Sequence, residues 1–489
     1  MINKRSALHS YVNIFHYTGL ILLFSAITIL TPLISIIFFP QETVNITGFI
    51  LPAIGMALLG AMCWFFIKPE CREPMDLQQS QLVVVFSWII VCIFSTIPFI
   101  IIEKMSFFHA LFESVSGWTT TGLTLINVEH SSRLILLWRS IMQLAGGAGL
   151  AIIMLATILG PQAPTLSVAE GRSVQLVPQV RSSAKLVLVI YGSYILVGIT
   201  AYVLAGMGIF DAVNHTFTAI STGGFSTKSA SIGYWNSLPI DAVTIVLMML
   251  GSLNFLTVYL LFHGKFKTLI HNSEVKIMAV LIPVSIFLFY FLVGQKIYPV
   301  VAERIRITIF QIISALTTTG FTSTTYAHWT SFAFFITIIL MLIGGGTCST
   351  AGGIKQYRIY VLIKSAIWEI KKMFLPQNAV IENYIWQGER KDFIQHNQIR
   401  RISLFFFLYI TVFVIGSGII CAHGYNVKDS LFEFTSALGT VGLSVGITST
   451  QAPPLVLGVE IAGMFLGRLE FIVIFVTIIK IVRDIIGKR

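Results

Sequence analysis

Four short stretches decide how this chain is read: TTTGLT (Thr119–Thr124), STGGFS (Ser221–Ser226), TTTGFT (Thr317–Thr322) and GTVGLS (Gly439–Ser444). They share the pattern x-Thr-x-Gly-[Leu/Phe]-[Thr/Ser], with Thr120, Thr222, Thr318 and Thr440 in register and Gly122, Gly224, Gly320 and Gly442 in register. Six residues before each glycine stands a hydroxyl: Ser116, Thr218, Ser314, Ser436. Nine before stands a polar side chain: Glu113, His215, Gln311, Glu433. Successive glycines lie 102, 96 and 122 residues apart, the longest interval holding a polar stretch near Lys371–Arg401. Self-similarity of this kind inside one chain marks a duplicated architecture.

The surroundings of the motifs are those of a membrane protein. Of 489 residues 55% are apolar and only 11% charged, against about 25% charged in soluble domains. Hydropathy predicts ten spans, near 14–39, 48–67, 81–102, 133–158, 184–207, 239–262, 275–294, 331–362, 402–422 and 455–482. Each motif closes a shorter apolar segment (107–119, 210–221, 303–317, 428–439). Segments of that length at membrane depth are re-entrant rather than spanning.

The net charge of +11 is unevenly distributed: 23 Lys and Arg fall in one set of inter-span segments, 8 in the other, and Arg468 lies within a span. The positive-inside rule then places both termini in the cytoplasm, and the basic balance reports topology rather than a nucleic-acid partner. Five scattered cysteines form no ligand pair, so neither a disulfide framework nor a metal cluster is expected. The first hydrophobic stretch is long enough to remain as a membrane helix.

Glycine permits positive φ and close approach. A non-helical strand at membrane depth needs its polar groups satisfied by protein, water or an ion. Four such strands around one axis would present rings of carbonyls that replace the water of a monovalent cation, with the short helices aiming their C-terminal ends at it. The expected filter residues are Thr120, Thr121, Gly122, Thr222, Gly223, Gly224, Thr318, Thr319, Gly320, Thr440, Val441 and Gly442. Glu113 and Glu433, near the outer ends of their helices, are expected to cap helix N-termini or serve as scaffold, or else to enrich cations in the vestibule, and His215 to replace the glutamate in its repeat. Gly and Thr also mark plain helix contacts in membranes, but four copies in register on re-entrant segments speak against that reading.

From about residue 80 onward the chain resembles the Trk/Ktr/HKT superfamily of potassium transporters, through STGGFSTKSA, TTTGFT and WRSIMQLAGGAG (Trp138–Gly149). The extra N-terminal hairpin resembles the membrane subunit of the bacterial Trk branch, whereas GTVGLSVG looks closer to the Ktr branch. The resemblance implies an all-α integral membrane protein of four helix–pore loop–helix pseudo-repeats around a central ion pore. Its expected divisions are a hairpin (1–75) and repeats at 76–160, 161–265 and 266–370, followed by a cytoplasmic connection with the fourth repeat (371–489). The resemblance further implies potassium as substrate, no cofactor on this chain, a homodimer within lipid of the bacterial inner membrane, and a cytosolic nucleotide-binding regulatory subunit. The basic stretch near Lys371–Arg401 is the expected docking surface. Family members with serine at the first filter glycine tend toward sodium; Gly122 argues for potassium.

The span 331–362 is interrupted by GGGTCSTAGG, containing Gly344, Gly345, Gly346, Gly352 and Gly353. Glycines there disfavour helix by about 1 kcal/mol each. No Gly-Lys-[Ser/Thr] follows, so this is no P-loop. By resemblance it is a movable intramembrane barrier below the filter, with Arg468 hydrogen-bonding its carbonyls and repelling cations. An arginine in a span costs at least about 2.5–3.5 kcal/mol unless partnered. Glu470, two residues on, would point away from it on a continuous helix. Lys355 and Arg358 read as snorkelling anchors rather than gate parts, and Gly146, Gly147 and Gly149 as packing residues. Membrane voltage, about 2.3 kcal/mol per charge per 100 mV, would drive uptake. The rival readings are a potassium symporter coupled to protons or sodium, a less selective potassium/sodium channel, and a membrane enzyme. Acidic residues placed mostly at span ends and in loops weigh against coupling, and no HExxH or paired intramembrane carboxylate supports catalysis.

Overall fold

The computed structural model describes residues 2–67, 75–149, 180–376, 382–387 and 390–486. The expected connection near Pro161–Lys185 and the second half of the span at 133–158 lie largely outside them. The chain is built from helices, joined by one small antiparallel hairpin that the all-α expectation did not include. An N-terminal pair, α1 (Ile2–Leu30) and α2 (Thr47–Ala61), precedes the motif-bearing region. The first repeat follows as α3 (Leu77–Phe94), α4 (Ile97–Ile102), the pore helix α5 (Phe107–Trp118) and α6 (Arg133–Ala148). The second comprises α7 (Val180–Leu204), the pore helix α8 (Ile209–Ile220), α9 (Leu238–Ser252) and α10 (Phe255–Phe262). After the short α11 (Phe266–His271) comes the third, with α12 (Ser273–Phe289), the pore helix α13 (Val301–Leu316), α14 (Ser331–Ile343) and α15 (Gln356–Met373). Strands β1 (Tyr384–Gln387) and β2 (Arg390–Phe393) then lead into α16 (His396–Ala422), the pore helix α17 (Val427–Leu438), α18 (Pro454–Leu469) and α19 (Phe471–Ile486).

Local chemistry sets these boundaries. Asp76 and Gln79 form a reciprocal capping box at the start of α3, and the Ser106 hydroxyl accepts the His109 N–H at the start of α5. Gly149, in the left-handed region at φ +62°, closes α6. Among the described residues, five helical stretches are long and apolar enough to cross a membrane: Tyr11–Ile37, Thr47–Phe66, Leu77–Ile102, Ser273–Ile297 and His396–Ala422. Of the remaining spans, that expected at 184–207 forms as the single helix α7, and three others differ from expectation for one physical reason. In the second, third and fourth repeats the helix after the pore loop breaks in mid-course, after Ser252, after Ile343 and at Glu470 (φ +59°). Only the break after Ile343, in the third repeat, has a glycine run to announce it. Backbone that leaves helical geometry at this depth must be satisfied by surrounding protein or line a cavity.

The repeats close into a ring. The helix following each pore loop packs against the pore helix of the next repeat: α6 on α8, α9 on α13, α14 on α17, and α18 back on α5. Four apolar clusters pack around the repeats, one holding Trp138, one Met248 with Phe321, one Phe334 with Phe432, and one Tyr409 with Phe471. The N-terminal pair joins the first cluster through Phe49 and Met56. The β-hairpin packs Ile385 and Ile394 on Val361 of α15.

Candidate functional site

The four pore helices end in the same way. Their C-caps are followed by a threonine in the left-handed region: Thr120 (φ +56°), Thr222 (+51°), Thr318 (+53°) and Thr440 (+50°). Each threonine N–H and the next N–H turn back onto the helix, as in Thr120 N to Gly117 O (3.1 Å) and Thr121 N to Ser116 O (2.9 Å). The same pair of bonds recurs at Thr222, Thr318 and Thr440. This is a Schellman ending, with a β-branched residue where glycine is usual, at a cost of about 1–3 kcal/mol per site. In the first, third and fourth repeats the hydroxyl six residues before the glycine clamps the strand that leaves the helix, whereas in the second Thr218 Oγ1 donates back to the Asn214 carbonyl of its own helix (3.1 Å). Ser116 Oγ accepts the Gly122 N–H (3.1 Å) and donates to the Leu123 carbonyl (2.6 Å). Ser436 Oγ accepts the Gly442 N–H (3.0 Å), and Ser314 Oγ donates to the Phe321 carbonyl (2.7 Å).

The polar residue nine before the glycine braces the far end of the same strand. Glu113 accepts from Thr124 Oγ1 (2.8 Å) and Leu125 N (2.9 Å), and Glu433 from Ser444 Oγ (2.6 Å) and Val445 N (2.9 Å). His215 Nε2 meets Ser226 Oγ at 2.9 Å, the equivalent place. Glu113 and Glu433 are fully buried within their helices. They neither cap an N-terminus nor face an open vestibule, because their lone pairs are spent on the strand. Glu113 also pairs with the buried Arg139 (2.7 Å).

The glycines meet. A Cβ added to Gly122 would fall on the carbonyl oxygen of Gly223, one on Gly224 on that of Thr319, one on Gly320 on that of Val441, and one on Gly442 on that of Thr121. The order of contact is first repeat to second, second to third, third to fourth, fourth to first. All four glycines also line one cavity of about 660 Å³, which the flanking residues Thr124, Ser226, Thr322 and Ser444 share.

On the other side of the strands lies the glycine-rich loop between α14 and α15. The Gly352 N–H donates to Thr318 Oγ1 (2.7 Å), and Thr222 Oγ1 donates to Thr350 Oγ1 (3.0 Å). Thr120 and Thr440 hydroxyls are fully buried and have no hydrogen-bond partner among the described residues. The loop is fastened all round. Thr350 Oγ1 donates toward the Gly251 carbonyl (2.9 Å), the Gly346 N–H to the Ser252 carbonyl (3.0 Å), and Thr347 N and Oγ1 to Glu274 (2.7 and 2.5 Å). Gly344, Cys348, Gly353 and Lys355 take positive φ.

Arg468 lies in the last turn of α18 just before the break, not in mid-helix. Its Nη1 donates to the Thr350 carbonyl (2.7 Å), and its Nη2 to the carbonyls of Gly146 (2.5 Å) and Gly147 (3.3 Å). The expectation for Gly146 and Gly147 therefore omitted their carbonyls. Two neighbours were also misread. Lys355 donates to the Ala351 carbonyl within the loop, and Arg358 pairs with Glu470 (2.7 Å). Neither snorkels: both side chains turn toward a narrow cavity shared with Gly352, Gly353 and Arg468. Acidic residues also enter the helices more than the sequence reading held. Glu460, within α18, is fully buried beside Thr448.

The profile of the TrkH family, described as cation transport protein, matches residues 47–484. The chain belongs to this family. An uncharacterized cation transporter of Methanocaldococcus jannaschii is 31% identical over 469 residues, covering 95% of this chain and 94% of the relative. The Trk system potassium uptake protein TrkH of Vibrio parahaemolyticus is 30% identical over 490 residues, covering 95% and 97%. The crystal structure of the potassium transporter TrkH from Vibrio parahaemolyticus superposes with a TM-score of 0.83 at 27% identity, covering 95% of this chain and 98% of that one. Like other members of the TrkH family, the chain is a multi-pass helical membrane protein of the cation-transport class.

Proposed function

We propose that this chain takes up potassium across the bacterial cytoplasmic membrane through a pore with a four-loop carbonyl selectivity filter, gated from below. The cyclic contact of Gly122, Gly224, Gly320 and Gly442, each against the preceding filter carbonyl of the next repeat, carries this reading. Four helices ending at one ring direct their partial negative charge there, and the carbonyls replace the ion's water. The buried hydroxyls of Thr120 and Thr440 add acceptors on the inner side. The curated relatives named as Trk potassium uptake proteins supply the substrate.

In this reading Gly344, Gly345, Gly346, Gly352 and Gly353 form the movable barrier, and Arg468 is its latch. The loop occupies the exit by bonding Thr222 and Thr318 directly, so conduction requires it to withdraw. The uneven placement of Lys and Arg supports cytoplasmic termini. By the same family reading the protein works as a homodimer with a nucleotide-binding regulatory subunit, and the four repeats divide near residues 76, 161, 266 and 371.

The test is uptake into reconstituted vesicles under potassium, rubidium and sodium gradients. Potassium and rubidium should enter without an imposed proton gradient, and Gly122→Ser should raise sodium leak. Uptake that follows the proton gradient, with Gly122→Ser leaving sodium leak unchanged, would overturn the pore.

A further inference from the structure

Helix α6 belongs to the first repeat, yet its buried face grips the filter strand of the second. Gln143, fully buried, donates from Nε2 to the Gly223 carbonyl (2.6 Å) and accepts the Phe225 N–H at Oε1 (3.1 Å). One turn earlier, Arg139 donates to the Ser226 carbonyl (3.2 Å), and its guanidinium carbon lies 3.8 Å from the centroid of the Phe225 ring. Between them Ser140 Oγ donates to Asn214 of pore helix α8 (2.7 Å).

The second strand differs from the others where this grip is applied. The residue before the filter glycine is Thr121, Thr319 or Val441 in the other repeats, and Gly223 here. In the first and third repeats that threonine is tied from behind, Thr121 Oγ1 to Thr119 Oγ1 (2.8 Å) and Thr319 Oγ1 to Thr317 Oγ1 (2.9 Å). A Cβ at position 223 would land on the Gln143 amide. The glycine and the glutamine are thus one device: the side chain missing from the strand is supplied from α6.

We infer that Gln143 is a positioning residue for ion selectivity, setting the direction of the Gly223 carbonyl. This rests on the filter reading above. A carbonyl oxygen has two lone pairs; one of them is held by Gln143, which fixes where the other points. Discrimination between potassium and the smaller sodium ion depends on how the ring's dipoles are held, so loosening this oxygen should relax it.

Gln143→Met keeps the volume of the side chain and removes both bonds. In vesicles matched for protein, the ratio of sodium to potassium uptake should rise about tenfold while potassium uptake persists. An unchanged ratio would overturn the inference and leave Gln143 as filler. A second pair of variants covers the case in which Gln143→Met does not assemble. Gly223→Thr alone should abolish uptake, and Gly223→Thr with Gln143→Ala should restore it, with a sodium ratio closer to the parent than that of Gln143→Ala alone. Failure of the double variant to restore uptake would overturn the exchange of side chain for strand. Gly122→Ser on the same preparations separates the two levels. If it raises sodium leak while Gln143→Met changes nothing, only the positioning role falls; if neither moves the ratio, the filter reading falls.

Discussion

Arg468 and Thr350 are joined by a 2.7 Å hydrogen bond from a guanidinium to a backbone carbonyl, across 118 residues of sequence. The same guanidinium holds the carbonyls at the end of α6. One planar cation therefore fastens the glycine-rich loop to the first repeat, and on the proposed reading its charge stands beside the ion route.

Arg468→Ala should increase ion flux by about tenfold or more, since each bond from a charged donor is worth about 1.5–3 kcal/mol. Arg468→Lys should fall between, because a point charge on a flexible stem cannot serve both sets of carbonyls in the fixed geometry of a fork. Flux assays at equal expression decide it, and an unchanged alanine variant removes the latch.

Thr350→Val keeps the shape of the side chain and deletes the hydroxyl that bonds the Gly251 carbonyl and receives Thr222. Two buried groups then lose a partner, at a cost of about 1–3 kcal/mol each when uncompensated. A rise in flux smaller than that of Arg468→Ala is expected in the same assay.

Glu113→Gln leaves Arg139 buried without its counter-charge. Breaking a buried pair from one side costs about 3–5 kcal/mol, whereas replacing both partners by apolar groups is often neutral. Thermal unfolding in detergent should show a marked drop for Glu113→Gln and recovery of most of it in Glu113→Gln with Arg139→Met.

Ser436→Ala removes the acceptor of the Gly442 N–H, a loss of about 1–3 kcal/mol. Because the clamp acts on one strand of the proposed filter, sodium leak should rise, with a fall in melting temperature no larger than the loss of that single bond brings. Comparing the two measurements on one preparation separates a local effect from general loosening.

The re-entrant segments were legible in the sequence to within a residue or two. The segment expected at 107–119 forms Phe107–Trp118, and that at 428–439 forms Val427–Leu438. Apolar runs too short to span, each closed by Gly and Thr, leave little else for the chain to do. The left-handed threonines were not legible, since a β-branched residue disfavours that geometry and only the two helix-end bonds impose it. Nor were the breaks after Ser252 and at Glu470, because strongly apolar sequence resumes at once on the far side of the few polar residues there (Ser252 and Asn254, Arg468 and Glu470), which by themselves do not end a helix. Arg358 and Lys355 were misplaced for a related reason: charge at the end of an apolar run looks the same whether it reaches outward or folds back onto a loop. Gln143 carried a signal that went unused. Gly223 is the one position of the four where the strand has no side chain, and an absent side chain calls for something to fill its place.

The ring of pore loops is written into a single open reading frame, and that changes what heredity can do with it. A channel assembled from identical subunits repeats any codon change four times around its axis. Here one nucleotide substitution alters one quadrant and leaves three untouched, so on the proposed filter reading ion preference can drift by small steps through intermediates that still conduct.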